Sequence, residues 1–114
     1  MEGATELLPL SAIALHILLV LAAGELHGYG IKLEIERQSG GQYRPGPGTL
    51  YDNIERLAGQ GVIEPVQRNH PDEDPRRRYY RITRYGRRAL AAEVARLESL
   101  VTVAKRQLAK GGVA

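Results

Sequence analysis

Thr49, Asp52, Arg56 and Gln60 are spaced so that, on a helix, they share one face. Leu50, Ile54 and Leu57 then fall on the opposite face, where they would pin the helix to a core. The stretch is entered through Gly46-Pro47-Gly48, a turn that leaves backbone N–H groups unpaired at the positive end of a helix dipole. Such an end suits a phosphate. The outward groups suit base edges: Arg56 can pair with guanine, and Asn53 with adenine if it turns outward. Tyr51 lies on the flank. The pattern predicts a helix over 47–60 that enters a DNA major groove, with Gly61 as its C-cap.

Arginine supplies the second chemical theme. Residues 1–75 hold 5 Lys/Arg against 11 Asp/Glu, whereas residues 76–114 hold 11 against 2, so the net charge of +3 is strongly polarised. A basic half points to a polyanion or an anionic membrane surface. Arg76, Arg77 and Arg78 sit together, with Arg68 nearby in sequence, and all four are candidates for backbone phosphates.

Other chemistries lack their residues. The sequence contains no cysteine, so no disulfide or thiolate metal site forms, which fits a reducing cytoplasm. His16, His27 and His70 have no metal-ligand spacing, and His16 reads as a hydrogen-bonded core histidine. No Ser/His/Asp set, paired-carboxylate cleft or phosphate-cradling lysine loop is visible, and His27-Gly28-Tyr29-Gly30 is not a dinucleotide fingerprint. No enzyme activity, cofactor or metal is expected. The run Leu7–Ala23 is nearly all apolar, but Pro9, Ser11 and His16 interrupt it short of the roughly 18–20 residues of a membrane span. Glu2 and Glu6 precede it where a signal peptide would be basic. It reads as a buried helix of a cytoplasmic protein.

The positioning elements follow in order. A first helix is predicted over 10–23, stopped by Gly24, and a second from His27 to about Ser39 with Ile31 and Ile35 inward. Gly28 and Gly30, costly in a helix, mark close backbone approach, either between helices or to a phosphate. After the 47–60 helix, Val62–Val66 reads as a strand that Pro65 restricts to an edge or bulge. Residues 69–75 form a loop, and Arg76–Thr83 is the returning strand, with Arg78, Tyr80 and Ile82 on one face. Three helices and a β-hairpin make a mainly α winged helix-turn-helix over residues 1–83.

Residues 84–110 read as a C-terminal helix about 40 Å long, followed by a tail at 111–114. Leu90, Val94, Leu97, Val101, Ala104 and Leu108 form a heptad seam. At 1.5–3 kcal/mol per buried residue, an uncovered seam would forgo about 10 kcal/mol. A domain this small has little surface with which to cover it, so dimerisation through the seam and the first helix is expected. Leu15, Leu97 and Val101 would line an apolar effector pocket where those surfaces meet.

With these residues in place, the chain resembles the PadR family of bacterial transcriptional regulators. His27-Gly28-Tyr29-Gly30-Ile31 carries the likeness first. Gly48-Thr49-Leu50-Tyr51 with Arg56-Leu57 and Gly61-Val62-Ile63 follows, then Arg78-Tyr79-Tyr80-Arg81-Ile82-Thr83 with Gly86. It looks like the short subfamily, in which a single C-terminal helix replaces a larger dimerisation domain. The resemblance implies a winged-helix homodimer, usually a repressor of nearby transport or stress genes that responds to phenolic or other aromatic compounds. It also implies that Thr49 and Tyr51 belong to the recognition helix, Gly28 and Tyr29 to the opening of the helix before it, and Arg76, Arg77 and Arg78 to the wing base. Two features depart from the family. Asp72, Glu73 and Asp74 make the wing tip acidic, which disfavours phosphate contact there. Leu97 stands where some short members carry a ligand-stacking tryptophan.

The expected partner is therefore double-stranded DNA carrying an inverted repeat with half-sites about one helical turn apart. The alternative is a winged-helix protein-interaction module that binds no DNA.

Overall fold

A computed structural model describes residues 2–67 and 77–111. A 3₁₀ segment, Glu2–Leu7, comes first, followed by α1 (Ala12–Leu21), β1 (Leu26–His27), α2 (Gly28–Gln38), α3 (Pro47–Gly59), β2 (Ile63–Val66), β3 (Tyr79–Ile82) and α4 (Arg84–Lys110). The 3₁₀ segment and β1 were not expected.

Helix α1 starts at Ser11, whose hydroxyl accepts the Ala14 N–H at 3.2 Å, so it begins two residues later than the apolar run suggests. It ends at Leu21 and not at Gly24. Ile17 and Leu18 at 0 % exposure place it at the centre of the core. Ile31 and Ile35 from α2, Leu50, Ile54 and Leu57 from α3, and Val62, Ile63, Tyr80 and Ile82 from the sheet close around it. Three short helices cannot bury these faces alone. Together they remove some ten large aliphatic side chains from water, each contributing roughly 1.5–3 kcal/mol.

His16 departs from expectation. Its ring stacks on Tyr43 with centroids 4.6 Å apart, and among the described residues its Nδ1 has no hydrogen-bond partner. Stacking, not hydrogen bonding, holds this histidine.

The expected hairpin is a three-stranded antiparallel sheet of order β1-β3-β2, with Leu26 opposite Tyr80 and Ile63 opposite Ile82. Pro65 lies on the edge strand, where its missing N–H costs no ladder bond. Strand β3 begins at Tyr79, so Arg77 and Arg78 precede it and do not alternate within it.

The turn from sheet to α4 is tightly built. The Thr83 hydroxyl accepts the Gly86 N–H at 3.0 Å and donates to the Gly61 carbonyl at 2.7 Å. A Cβ at Gly86 would lie 2.0 Å from the Val62 carbonyl oxygen, so only glycine lets helix and sheet approach this closely. Gly61, at φ +78°, ends α3 in the left-handed region. Helix α4 then runs over the span predicted for it, burying Ala89, Leu90 and Glu93 before it leaves the core.

Candidate nucleic-acid interface

Helix α3 presents two contrasting faces. Leu50, Ile54 and Leu57 are at most 3 % exposed, while Thr49, Asp52, Arg56 and Gln60 are all exposed. Pro47 opens the helix, and Gly46 provides no side-chain cap. The first backbone N–H groups of α3 are therefore left for solvent or an anion. Arg56 makes no ion pair among the described residues. Arg81, by contrast, is held by Glu64 at 2.7 Å, and this pairing raises its pKa, chiefly through the hydrogen bond. Arg56 keeps its whole guanidinium for another acceptor, whereas the Nε of Arg81 is already taken by Glu64.

Asn53 behaves differently from expectation. It is half-buried, and its amide donates to the Thr49 carbonyl at 2.8 Å. In this structure it has not turned outward to reach a base.

Beside α3 lies a cleft of about 240 Å³ lined by His27, Gly28, Tyr29, Tyr51, Arg77, Arg78 and Tyr80. It joins the flank of α3, the start of α2 and the segment ahead of β3. Tyr51 leans onto α2 so closely that a Cβ at Gly28 would come within 2.4 Å of its ring. Gly28 thus leaves room for the Tyr51 ring. Gly30 has no comparable contact, since a Cβ there would meet only Leu26 and His27 at 3.4 Å or more. Tyr29 points outward at 55 % exposure.

His27 organises the opposite wall. Its Nδ1 accepts the Gly30 N–H at 3.1 Å and so caps α2. Its ring meets Tyr79 edge-on at 5.1 Å, and its Nε2 lies 3.3 Å from Arg77 Nη1. His27 thereby ties the start of α2 to Tyr79 and to Arg77 just ahead of β3. Sequence reasoning passed over His27 because histidine is not among the usual N-cap residues, although it stands immediately before the glycine that opens α2.

Arg68, Arg76 and the acidic residues Asp72, Glu73 and Asp74 lie outside the described residues.

The seam on α4 divides in two. Leu90, at 9 % exposure, belongs to the chain's own core, which corrects its assignment to an intermolecular face. Val94 (39 %), Val101 (50 %) and Leu108 (57 %) are exposed, Ala104 is exposed and Leu97 half-buried. Leu100 and Val103, outside the 4-3 spacing, are exposed as well. Leu97 and Val101 share a shallow groove of about 410 Å³ with Val94, Glu98 and Thr102. Leu15 is not among its lining residues and packs against the core instead. The three residues read as an effector site are therefore not gathered into one cavity within a single chain.

Among the described residues, no three His, Cys, Asp or Glu side chains are placed to hold a metal ion, and no helix is long and apolar enough to cross a membrane.

Comparison with known proteins follows the same architecture. Residues 17–92 match the profile of the transcriptional regulator PadR-like family. The chain is 39 % identical over 90 residues to the transcriptional regulator Rv3488 of Mycobacterium tuberculosis, covering 79 % of each. A transcriptional regulator from Clostridium thermocellum superposes with a TM-score of 0.72 at 29 % identity, over 82 % of this chain and 87 % of that one. Bacillus subtilis PadR in complex with operator DNA superposes at 0.64 and 21 % identity, over 74 % of this chain and 47 % of that one, which shows a shared fold. The chain belongs to the PadR-like family of transcriptional regulators. The family and the relatives named above are transcriptional regulators, not enzymes.

Proposed function

From this membership we infer that the chain is a sequence-specific DNA-binding regulator acting in the cytoplasm as a homodimer. Its role would be repression of nearby genes, often for transport or stress, relieved by a small apolar or aromatic effector. The observation that carries the reading is the junction at Tyr51. The exposed face of α3 continues there into a cleft walled by Arg77 and Arg78 and the capped start of α2. A groove-reading helix flanked by cationic groups is what a duplex requires. Thr49, Asp52 and Arg56 are the candidates for base edges. Tyr51, Arg77, Arg78 and the N–H groups opening α2 and α3 are the candidates for phosphates, as are Arg68 and Arg76. The bare stretch of α4 from Val94 to Leu108 supports pairing with a second copy, which would set two α3 helices on one side of a duplex.

Fluorescence anisotropy with duplexes from the gene's own promoter region tests the reading. If about six phosphates are neutralised, affinity falls roughly 10³-fold between 50 and 200 mM salt. Arg56→Ala relaxes sequence preference, whereas Arg77→Ala weakens all sequences alike. Absence of any shifted promoter fragment would favour a protein-docking role for the winged helix.

A further inference from the structure

Glu93 is the one charged side chain buried in the core among the described residues, at 1 % exposure. Its Oε2 accepts the Leu10 N–H at 3.0 Å, across 83 residues of chain. Arg96, one turn on, donates from Nε to Oε1 at 2.6 Å and from Nη2 to Oε2 at 3.0 Å. Ala89 and Leu90, four and three residues before Glu93, are in the core; after Glu93, α4 has no buried residue as far as Gly111. The carboxylate thus grips the segment ahead of α1 at the point where the long helix leaves the folded body. A second tie lies two turns back, where the Tyr85 hydroxyl donates to the Gly3 carbonyl at 2.7 Å.

We propose that Glu93 is a positioning residue: with its carboxylate oriented by Arg96 on the same helix, it bonds Leu10 and fixes the direction in which α4 departs, and so the half-site spacing that the dimer accepts. This rests on the homodimeric DNA-binding reading above. An aliphatic side chain would fill the same volume but could slide and rock, whereas the directional bond from Leu10 holds one angle, and the two Arg96 bonds, made within α4, hold the carboxylate in place to accept it. The free part of α4 makes the angle consequential. Seventeen residues follow Glu93 to Lys110, a lever of about 25 Å at 1.5 Å per residue. Turning it by about 10° moves its far end about 4 Å, close to the 3.4 Å rise of one base pair. A loosened pivot would let the two α3 helices meet half-sites one base pair nearer or farther.

The test uses the full-length protein and duplexes selected by it from random sequence, rebuilt with half-sites moved one or two base pairs closer or farther apart. A duplex carrying a single half-site serves as control. The wild type is expected to lose about tenfold or more in affinity for each altered spacing. Glu93→Gln keeps the volume and an acceptor for Leu10 but loses the charge facing Arg96. It is expected to compress that loss to about threefold or less while binding the single half-site as the wild type does. Arg96→Lys, which keeps a positive charge facing Glu93 but loses the two-pronged contact, is expected to act in the same direction more weakly. Equal weakening across all spacings in both variants, with a lower melting temperature, would make Glu93 a purely structural residue and overturn the proposal. A wild type indifferent to spacing would overturn it too. A wild type that binds no duplex would overturn the DNA-binding reading, and this inference with it.

Discussion

The two halves of α4 carry the same apolar rhythm and have different fates. From Arg84 to Glu93 the helix is packed: Gly86 lies against the Val62 carbonyl, Ala89 and Leu90 are in the core, and Glu93 is sealed by Leu10. From Val94 onward the same spacing continues on a surface where Leu100, Val101 and Leu108 are each at least half exposed. Periodicity therefore states that a face will be covered and is silent about what covers it. In the first half the cover is intramolecular. For the second half a partner copy is the proposed cover, because exposed leucines at this density would otherwise be a liability for a soluble chain.

That contrast can be broken at several points. The largest effect is expected at Gly86. Gly86→Ala drives a methyl to within 2.0 Å of a backbone oxygen, and the sheet-to-helix junction must separate. We expect a loss of about 3 kcal/mol or more in urea unfolding; a near-neutral variant would mean that the inner half of α4 is not anchored as described. Leu97→Glu with Val101→Glu addresses the outer half. Sedimentation should show the dimer dissociation constant raised about 100-fold or more. Far-UV circular dichroism and the stability of dilute protein should change by no more than about 0.5 kcal/mol. A variant that stays dimeric would remove the seam from the interface.

Glu93 marks the boundary, and acid probes it. The Arg96 hydrogen bonds hold its carboxyl below the ordinary value, with burial opposing them and the Leu10 N–H assisting. A carboxylate with a depressed folded pKa adds stability that is complete above its unfolded pKa and disappears as pH falls through the folded one. Wild-type stability should accordingly decline from about pH 4.5 downward, and Glu93→Gln should flatten that decline. Equal acid profiles would show that the pair contributes nothing there. The exposed Glu34–Arg37 pair lowers the Glu34 pKa in the same direction, so the subtraction between variant and wild type is the informative quantity. The smallest effect is expected at the start of the helix. Thr83→Ala removes the cap on Gly86 and the bond to Gly61, costing about 1 kcal/mol without altering the oligomeric state.

Much of this architecture was legible in the chain. Helix α4 covers the span expected of it, and α3 ends within one residue of expectation. Helix α3 has Pro47 in its first turn and Gly61 just past its close, α4 has Thr83 before it and Gly111 after it, and both carry apolar residues at helical spacing. Strand β1 was not legible, because two residues carry no periodicity and exist as a strand only by pairing with Tyr79 and Tyr80. The hydrogen-bonded role read for His16 failed for a related reason, since its stacking partner Tyr43 comes from a loop distant in sequence.

The candidate interface divides in the same way. The outward face of α3 followed from residue order alone, because four positions three or four apart on a helix must share a side. The cleft that joins Tyr51, Gly28, His27 and Arg77 did not, since those residues come from α3, α2, β1 and the segment ahead of β3.

What the sequence determined by itself is the set of helices, their inward and outward faces, and the polarised charge, because each depends on residues within one or two turns of one another. The tertiary structure alone decided that Glu93 is buried and not a solvated charge, that Asn53 bonds its own helix, and that Leu90 stays within the chain. Each of those outcomes depends on how much room and which hydrogen-bonding groups remain once the elements have packed. Local patterns cannot carry that information, because contacts such as Glu93 with Leu10 come into being only when distant segments fold against each other.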